Sequence, residues 1–111
     1  MANYSPKAIE RGAGTLREFN SWRETNPRAW AWAERFTLDA IAAGQHVGGQ
    51  TIVEAIRNHD FADKYGRPTR TNNNYSPIMA RAMMQAHPEL RDRIELRACV
   101  FDALMGVAAN G

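Results

Sequence analysis

Asn26-Pro27-Arg28-Ala29-Trp30-Ala31-Trp32-Ala33-Glu34-Arg35-Phe36-Thr37-Leu38-Asp39-Ala40-Ile41-Ala42-Ala43-Gly44 is the stretch that decides the fold class. Asparagine before proline is a helix-start signal. Asparagine suits the cap, and proline is tolerated at the first helical position because its missing N–H has no partner there anyway. Gly44 suits the left-handed conformation that ends a helix. Between these marks Ala29, Ala33, Phe36 and Ala40 recur at helical spacing and form one stripe. Trp30 and Trp32 lie about 200° apart around the axis. A helix with tryptophan on two sides is expected to be covered on both; an exposed partner surface at one of them is the other reading.

Upstream, Pro27 disfavours helical geometry at Asn26, so a preceding helix ends near Thr25. Thr15-Leu16-Arg17-Glu18 has the spacing of a reciprocal cap and sets its expected start at 15. Gly12-Ala13-Gly14 reads as a break, which makes residues 1–14 an expected flexible arm carrying Lys7 and Arg11. Downstream, residues 45–49 form a turn with room for a very short strand. Thr51-Ile52-Val53-Glu54 repeats the capping pattern and predicts a helix over 51–60, with Ile52, Val53 and Ile56 in the core.

Residues 61–75 have no helical period. Tyr65-Gly66-Arg67-Pro68 is a turn signal, and Thr69 and Thr71 suit extended backbone, so a short hairpin or an irregular loop follows. Ser76-Pro77 opens a helix over 76–87, with Ile78, Ala82 and Ala86 on one stripe beside Met79 and Met83, and Arg81 and Gln85 turned away. After His87-Pro88, Leu90, Ile94, Ala98, Phe101 and Met105 make a long apolar face, ahead of an expected frayed tail at 107–111. The expected fold is mainly α: about five helices with a short β-hairpin, one helical domain over 15–106, in the element order of a winged helix-turn-helix.

Composition narrows the function classes. The chain has 111 residues, enough for one modest core. Its single cysteine, Cys99, excludes an internal disulfide and fits a reducing compartment. No apolar run approaches a membrane span, and the first residues lack the apolar stretch of a signal peptide, so a cytoplasmic location is expected with no membrane partner. His46, His59 and His87 share no ligand spacing, and no phosphate loop, nucleophile elbow or dinucleotide fingerprint occurs. No catalytic residue, metal or cofactor is expected, and the chain does not read as an enzyme. The sequence leaves a homodimer open.

Charge distribution is more informative than the net charge of +2. From Lys64 to Pro88 the chain carries Lys64, Arg67, Arg70 and Arg81 and no acid, which is +4 against −2 for the remainder. Nucleic-acid binding needs cations to neutralise phosphate and planar amides or guanidiniums to read base edges. The candidate interface is therefore Arg57, Lys64, Arg67, Arg70, Asn72, Asn73, Asn74, Arg81 and Gln85. Three consecutive asparagines also build tight connections without any ligand, because asparagine bonds readily to neighbouring amides. Either the helix at 51–60 enters the major groove with Arg67 on a wing, or the helix at 76–87 does, with the asparagines at its entrance.

The ordered blocks Phe19, Asn26-Pro27 and Trp30, then Ile52, Glu54 and Ile56-Arg57, then Asn72-Asn73-Asn74-Tyr75-Ser76-Pro77 with Ala80-Arg81, then Pro88 and Glu95-Leu96-Arg97 resemble a group of small phage and prophage proteins. Their shared mark is an Asn-Asn-x-Tyr stretch followed by Ala-Arg. The resemblance covers residues 19 to 97. It implies a phage-type origin and a common role for the asparagine segment and Arg81, and it carries over no activity. The expectation is a regulatory DNA-binding protein. The alternative is a protein-binding adaptor or inhibitor of a host enzyme, anchored by Trp30 or Trp32 and Met84.

Overall fold

The structure, a computed structural model, describes residues 4–107. Five α-helices and a two-stranded parallel sheet make up the regular structure of those residues: α1 (Pro6–Thr25), α2 (Pro27–Ala42), β1 (Val47–Gly48), α3 (Gly49–Arg57), α4 (Ser76–Ala86), β2 (Ile94–Glu95) and α5 (Val100–Met105). The mainly helical class follows the sequence, with a minor β element.

Helix α2 behaves as its ends dictate. Gly44 takes φ +80°, and the Gly44 and Gln45 N–H groups donate back to the Ile41 and Ala40 carbonyls at 2.9 and 3.0 Å. Ala29, Ala33, Thr37 and Ala40 are buried along one stripe, while Trp30 and Trp32 are each partly buried on opposite flanks. Both flanks of α2 are therefore covered in part.

Helix α1 corrects the expected arm at 1–14. Ser5 caps it, its Oγ accepting from the Ala8 N–H at 3.1 Å, and the helix runs unbroken through Gly12-Ala13-Gly14. Residues 1–3 of that arm lie outside the described residues. A glycine inside a helix costs about 1 kcal/mol against alanine. Gly12 allows close packing in return, because a Cβ there would stand 3.0 Å from Leu104 Cδ1 and Val100 Cγ1 of α5 and push them back by a few tenths of an ångström. Thr15 does not cap; its hydroxyl donates to the Arg11 carbonyl within the helix at 3.1 Å.

Helix α3 starts before the expected cap. Gly49 lies so close to α4 that a Cβ on it would be 1.8 Å from the Ser76 carbonyl oxygen, and Glu54 accepts from Gln50 Nε2 instead of closing a cap. This approach packs α3 on α4, and Ile52, Val53 and Ile56 are buried in the same core as Ile78, Met79 and Met83. Each such side chain contributes about 1.5–3 kcal/mol of burial.

The final segment corrects the expected continuous apolar helix. After a 3-10 turn at Pro88–Leu90, Ile94 and Glu95 pair in parallel with Val47 and Gly48. Cys99 is extended, and α5 begins only after it, where Asp102 accepts from the Cys99 N–H at 3.0 Å. Leu90, Ile94 and Phe101 are buried as the pattern requires, but Ala98 is exposed. The expected tail at 107–111 lies, beyond Val107, outside the described residues.

Candidate nucleic-acid interface

The loop between α3 and α4 takes its shape from two polar side chains. Asp63 Oδ1 accepts from the Tyr65 and Arg67 N–H groups, both at 2.9 Å, which turns the chain at Gly66. Ala62 and Pro68 form one antiparallel bridge, flanked by the Thr69 N–H donating to the Phe61 carbonyl at 2.9 Å. The segment is thus a loop closed by a single bridge, between the two shapes expected of it.

Asn26 ties this loop to the α1–α2 corner. Its Nδ2 donates to the Trp22 carbonyl at 2.9 Å, and its Oδ1 accepts from the Thr69 hydroxyl at 2.7 Å. The Lys64 N–H donates to the Thr25 carbonyl at 2.9 Å. Asn26 is 5% exposed and makes no side-chain cap on α2. Its expected capping role gives way to the loop.

Folding divides the expected site residues. Arg67 and Arg70 are exposed, and neither makes a side-chain hydrogen bond or ion pair among the described residues. They share a shallow depression of about 440 Å³ with Asn26, Asp63 and Pro68. Lys64 is exposed beside the Tyr65 ring and 3.7 Å from Glu24 of α1. Arg57 is bound along one side: Nε and Nη2 donate to the Thr71 carbonyl at 2.9 and 2.6 Å, and Nη1 donates to Asn73 Oδ1 at 2.6 Å.

The asparagines build the connection into α4. Asn72 Oδ1 accepts from the Asn74 N–H at 2.9 Å and caps the 3-10 turn Asn73–Tyr75, while Asn73 holds Arg57. Asn74 is exposed. Gln85 is exposed too, but its amide donates to the Met105 carbonyl at 2.7 Å.

Arg81 requires a correction, because it does not face outward. It is 1% exposed, with Nε and Nη2 on Asp102 Oδ1 at 2.8 and 2.7 Å, Nη1 on the Pro77 carbonyl at 2.9 Å and Nη2 on the Arg97 carbonyl at 2.7 Å. The cause is the position of α4 itself, which is buried on every side from Ile78 to Met84. A helix of that composition, apolar all round, is a central helix; the run Ser76-Pro77-Ile78-Met79-Ala80 through Met83-Met84 carries that signal, which goes beyond a single stripe. The burial also removes α4 as a groove-reading helix and Met84, 5% exposed, as a protein anchor. Of the two helices proposed for the groove, α3 keeps a solvent face, at Gln50, Thr51, Glu54 and Asn58.

Several organising residues fell outside the sequence reading. Asp63 was the most legible, since an aspartate ahead of Tyr65-Gly66 is the pattern of a side-chain-capped turn. Asp102, the partner of Arg81, lies too far along the chain for any local pattern to pair them. Arg28, exposed on the first turn of α2, adds a cation beside the corner residue Asn26.

Among the described residues no group of three metal-ligating side chains occurs, and no helix is long and apolar enough to cross a membrane. Cys99 is partly buried ahead of α5. No protein-family model matches the chain, and no curated protein or solved structure matches it either.

Proposed function

We propose that this chain binds nucleic acid, double-stranded DNA in the first instance, as a phage-type regulatory protein of the host-cell cytoplasm. The observation that carries the reading is the pair Arg67 and Arg70: unpartnered guanidiniums on a loop that Asp63, Thr69 and Asn26 hold in one shape. A fixed loop loses little conformational freedom on binding, and arginine presents phosphate with a planar, two-pronged donor. The loop grips the backbone, and α3, the adjoining helix with a polar solvent face, is the element offered to the groove.

Folding makes this site narrower than the sequence charge suggests. Glu24 offsets Lys64 and Asp102 neutralises Arg81, which leaves Arg67 and Arg70 to carry the phosphate contacts. The alternative of a protein-binding adaptor or inhibitor of a host enzyme has lost one of its anchors, since Met84 is buried.

The test is the salt dependence of binding to a mixed-sequence duplex, followed by fluorescence anisotropy between about 50 and 200 mM salt. Affinity is expected to fall steeply with salt. The double variant Arg67→Ala, Arg70→Ala is expected to weaken binding about tenfold and reduce the logarithmic slope by roughly two, near 0.9 per phosphate contact. Binding that ignores salt, or an unchanged slope in the double variant, refutes the reading.

A further inference from the structure

The basic loop does not end at its own bridge. Phe61, whose carbonyl accepts from Thr69, also sets its ring 5.5 Å from Trp32 of α2. Trp32 in turn stacks on Phe36, with centroids 5.2 Å apart and planes 19° apart, and meets the His59 ring at 4.2 Å. A continuous aromatic array therefore runs from the root of the Arg67–Arg70 loop onto the outer side of α2. Trp32, Phe36 and Phe61 are only partly buried, and His59 is exposed.

Beyond Phe36 the array opens into a depression of about 350 Å³. Ala40 and Ala43 are among its lining residues, and their small side chains leave space that a larger residue would fill. Its walls are Arg35, Asp39 and Gln45, all exposed. This lining is not that of a purely apolar groove. It combines stacked rings, a carboxamide with donors and an acceptor, a carboxylate acceptor and a guanidinium 3.8 Å from that carboxylate.

Planar rings on which a base can continue a stack, with amide and carboxylate groups for its edge and an arginine for its phosphate, are the elements by which proteins hold single-stranded bases. We propose that the depression beside Trp32 and Phe36 is a subsite for one unpaired nucleobase of the strand whose backbone the Arg67–Arg70 loop holds. The base would lie over Ala40 and Ala43 against the Trp32–Phe36 stack, with Gln45 and Asp39 at its hydrogen-bonding edge. This rests on the nucleic-acid reading above and extends it: the preferred target is a duplex with an unpaired end or junction, not a continuous duplex.

The experiment compares three DNA ligands by anisotropy at one salt concentration: a blunt mixed-sequence duplex, the same duplex with a short single-stranded overhang, and that overhang built from abasic sites. The intact overhang is expected to bind roughly tenfold tighter than the blunt duplex, in the range of one stacked base. The abasic overhang should give back that gain. Ala43→Leu, at an exposed position, fills the depression without entering the core; it should abolish the gain and leave blunt-duplex affinity unchanged. Equal affinity for intact and abasic overhangs, or a gain that survives Ala43→Leu, overturns the subsite. In that case blunt-duplex binding that still falls in Arg67→Ala, Arg70→Ala keeps the basic-loop reading standing. Failure of every ligand to bind overturns both.

Discussion

The acid-free stretch from Lys64 to Pro88 contains two regions whose arginines meet opposite physical fates. In the loop half, Arg67 and Arg70 stand in solvent with no partner among the described residues. In the helix half, Arg81 is 1% exposed and satisfied on every nitrogen by Asp102 and the Pro77 and Arg97 carbonyls. The difference lies in what the neighbouring elements supply at that depth. Helix α4 is surrounded; the first turn of α5 brings it the Asp102 carboxylate, and the segment before α5 brings the Arg97 carbonyl. The tip of the loop between α3 and α4, from Lys64 to Pro68, and Arg70 beyond it are exposed, and the loop's own polar groups are spent on its shape. Charge read along a chain is thus a statement about surface only where the element carrying it has an outside.

The comparison breaks first at Arg81. Removing one partner of a buried ion pair leaves the other uncompensated, so Arg81→Ala is expected to cost about 3–5 kcal/mol in chemical denaturation. That is a large share of the about 5–15 kcal/mol that holds a domain of ordinary stability. Asp102→Ala should cost a comparable amount, because it leaves the 1% exposed Arg81 guanidinium with two carbonyl acceptors and no counter-charge, and removes the acceptor of the Cys99 N–H. If Arg81→Ala changes stability by less than 1 kcal/mol or so, the two halves are not different in kind.

The mirror-image prediction concerns the loop. Arg67→Ala with Arg70→Ala should leave the denaturation midpoint nearly unmoved, within about 0.5 kcal/mol, because neither side chain holds anything in the fold. The same pair should carry the loss of DNA affinity. A double variant that unfolds more easily would mean these side chains serve the structure, as Arg81 does.

The asparagines sharpen the boundary between the halves. Asn72→Ala removes the side-chain cap on the turn into α4 and should cost about 1 kcal/mol. Asn73→Ala frees the Arg57 Nη1 group and should cost a similar amount or less, since both groups are exposed. Neither substitution should alter the sequence preference of any DNA bound. A shift in preference with Asn73→Ala, at unchanged stability, would return that residue from connection-building to base reading.

How much of this was legible depended on whether the relevant contact was local. The ends of α2 follow from Pro27 and Gly44, because both act through their own backbone geometry. The turn at Gly66 follows for the same reason. The start of α1 did not follow, because Gly12 reads as a breaker until Leu104 and Val100 are seen to occupy the space its missing Cβ leaves. The last segment misled for a related reason: Leu90, Ile94 and Phe101 satisfy a helical period, yet their burial is achieved by a turn, a strand paired with β1 and a separate helix. In the candidate site, the exposure of Arg67 and Arg70 could be read from a turn signal. The pairing of Arg81 could not, since its carboxylate partner is contributed by a distant element, although the all-round apolar run of α4 carried the signal of its burial.

Tyr75 stands where the loop half becomes the helix half, and it tests whether that joint is as closed as the geometry requires. Its ring is 8% exposed and packs edge-on against Phe19 at 5.7 Å. Burial first, and the Glu18 carboxylate second, push its phenol above the ordinary value of 10.0. In the unfolded chain the phenol ionises at the ordinary value, while in the fold it holds its proton to higher pH. The stabilising contribution is therefore complete below about pH 10 and is lost as pH rises through the raised value. Denaturation midpoints should fall more steeply from about pH 8 to about pH 11 in the parent than in Tyr75→Phe, with the two alike at neutral pH. Parallel falls would mean the phenol is as solvated in the fold as in the open chain. The joint would then be loose, and the loop would lose the fixed shape on which the two exposed arginines depend.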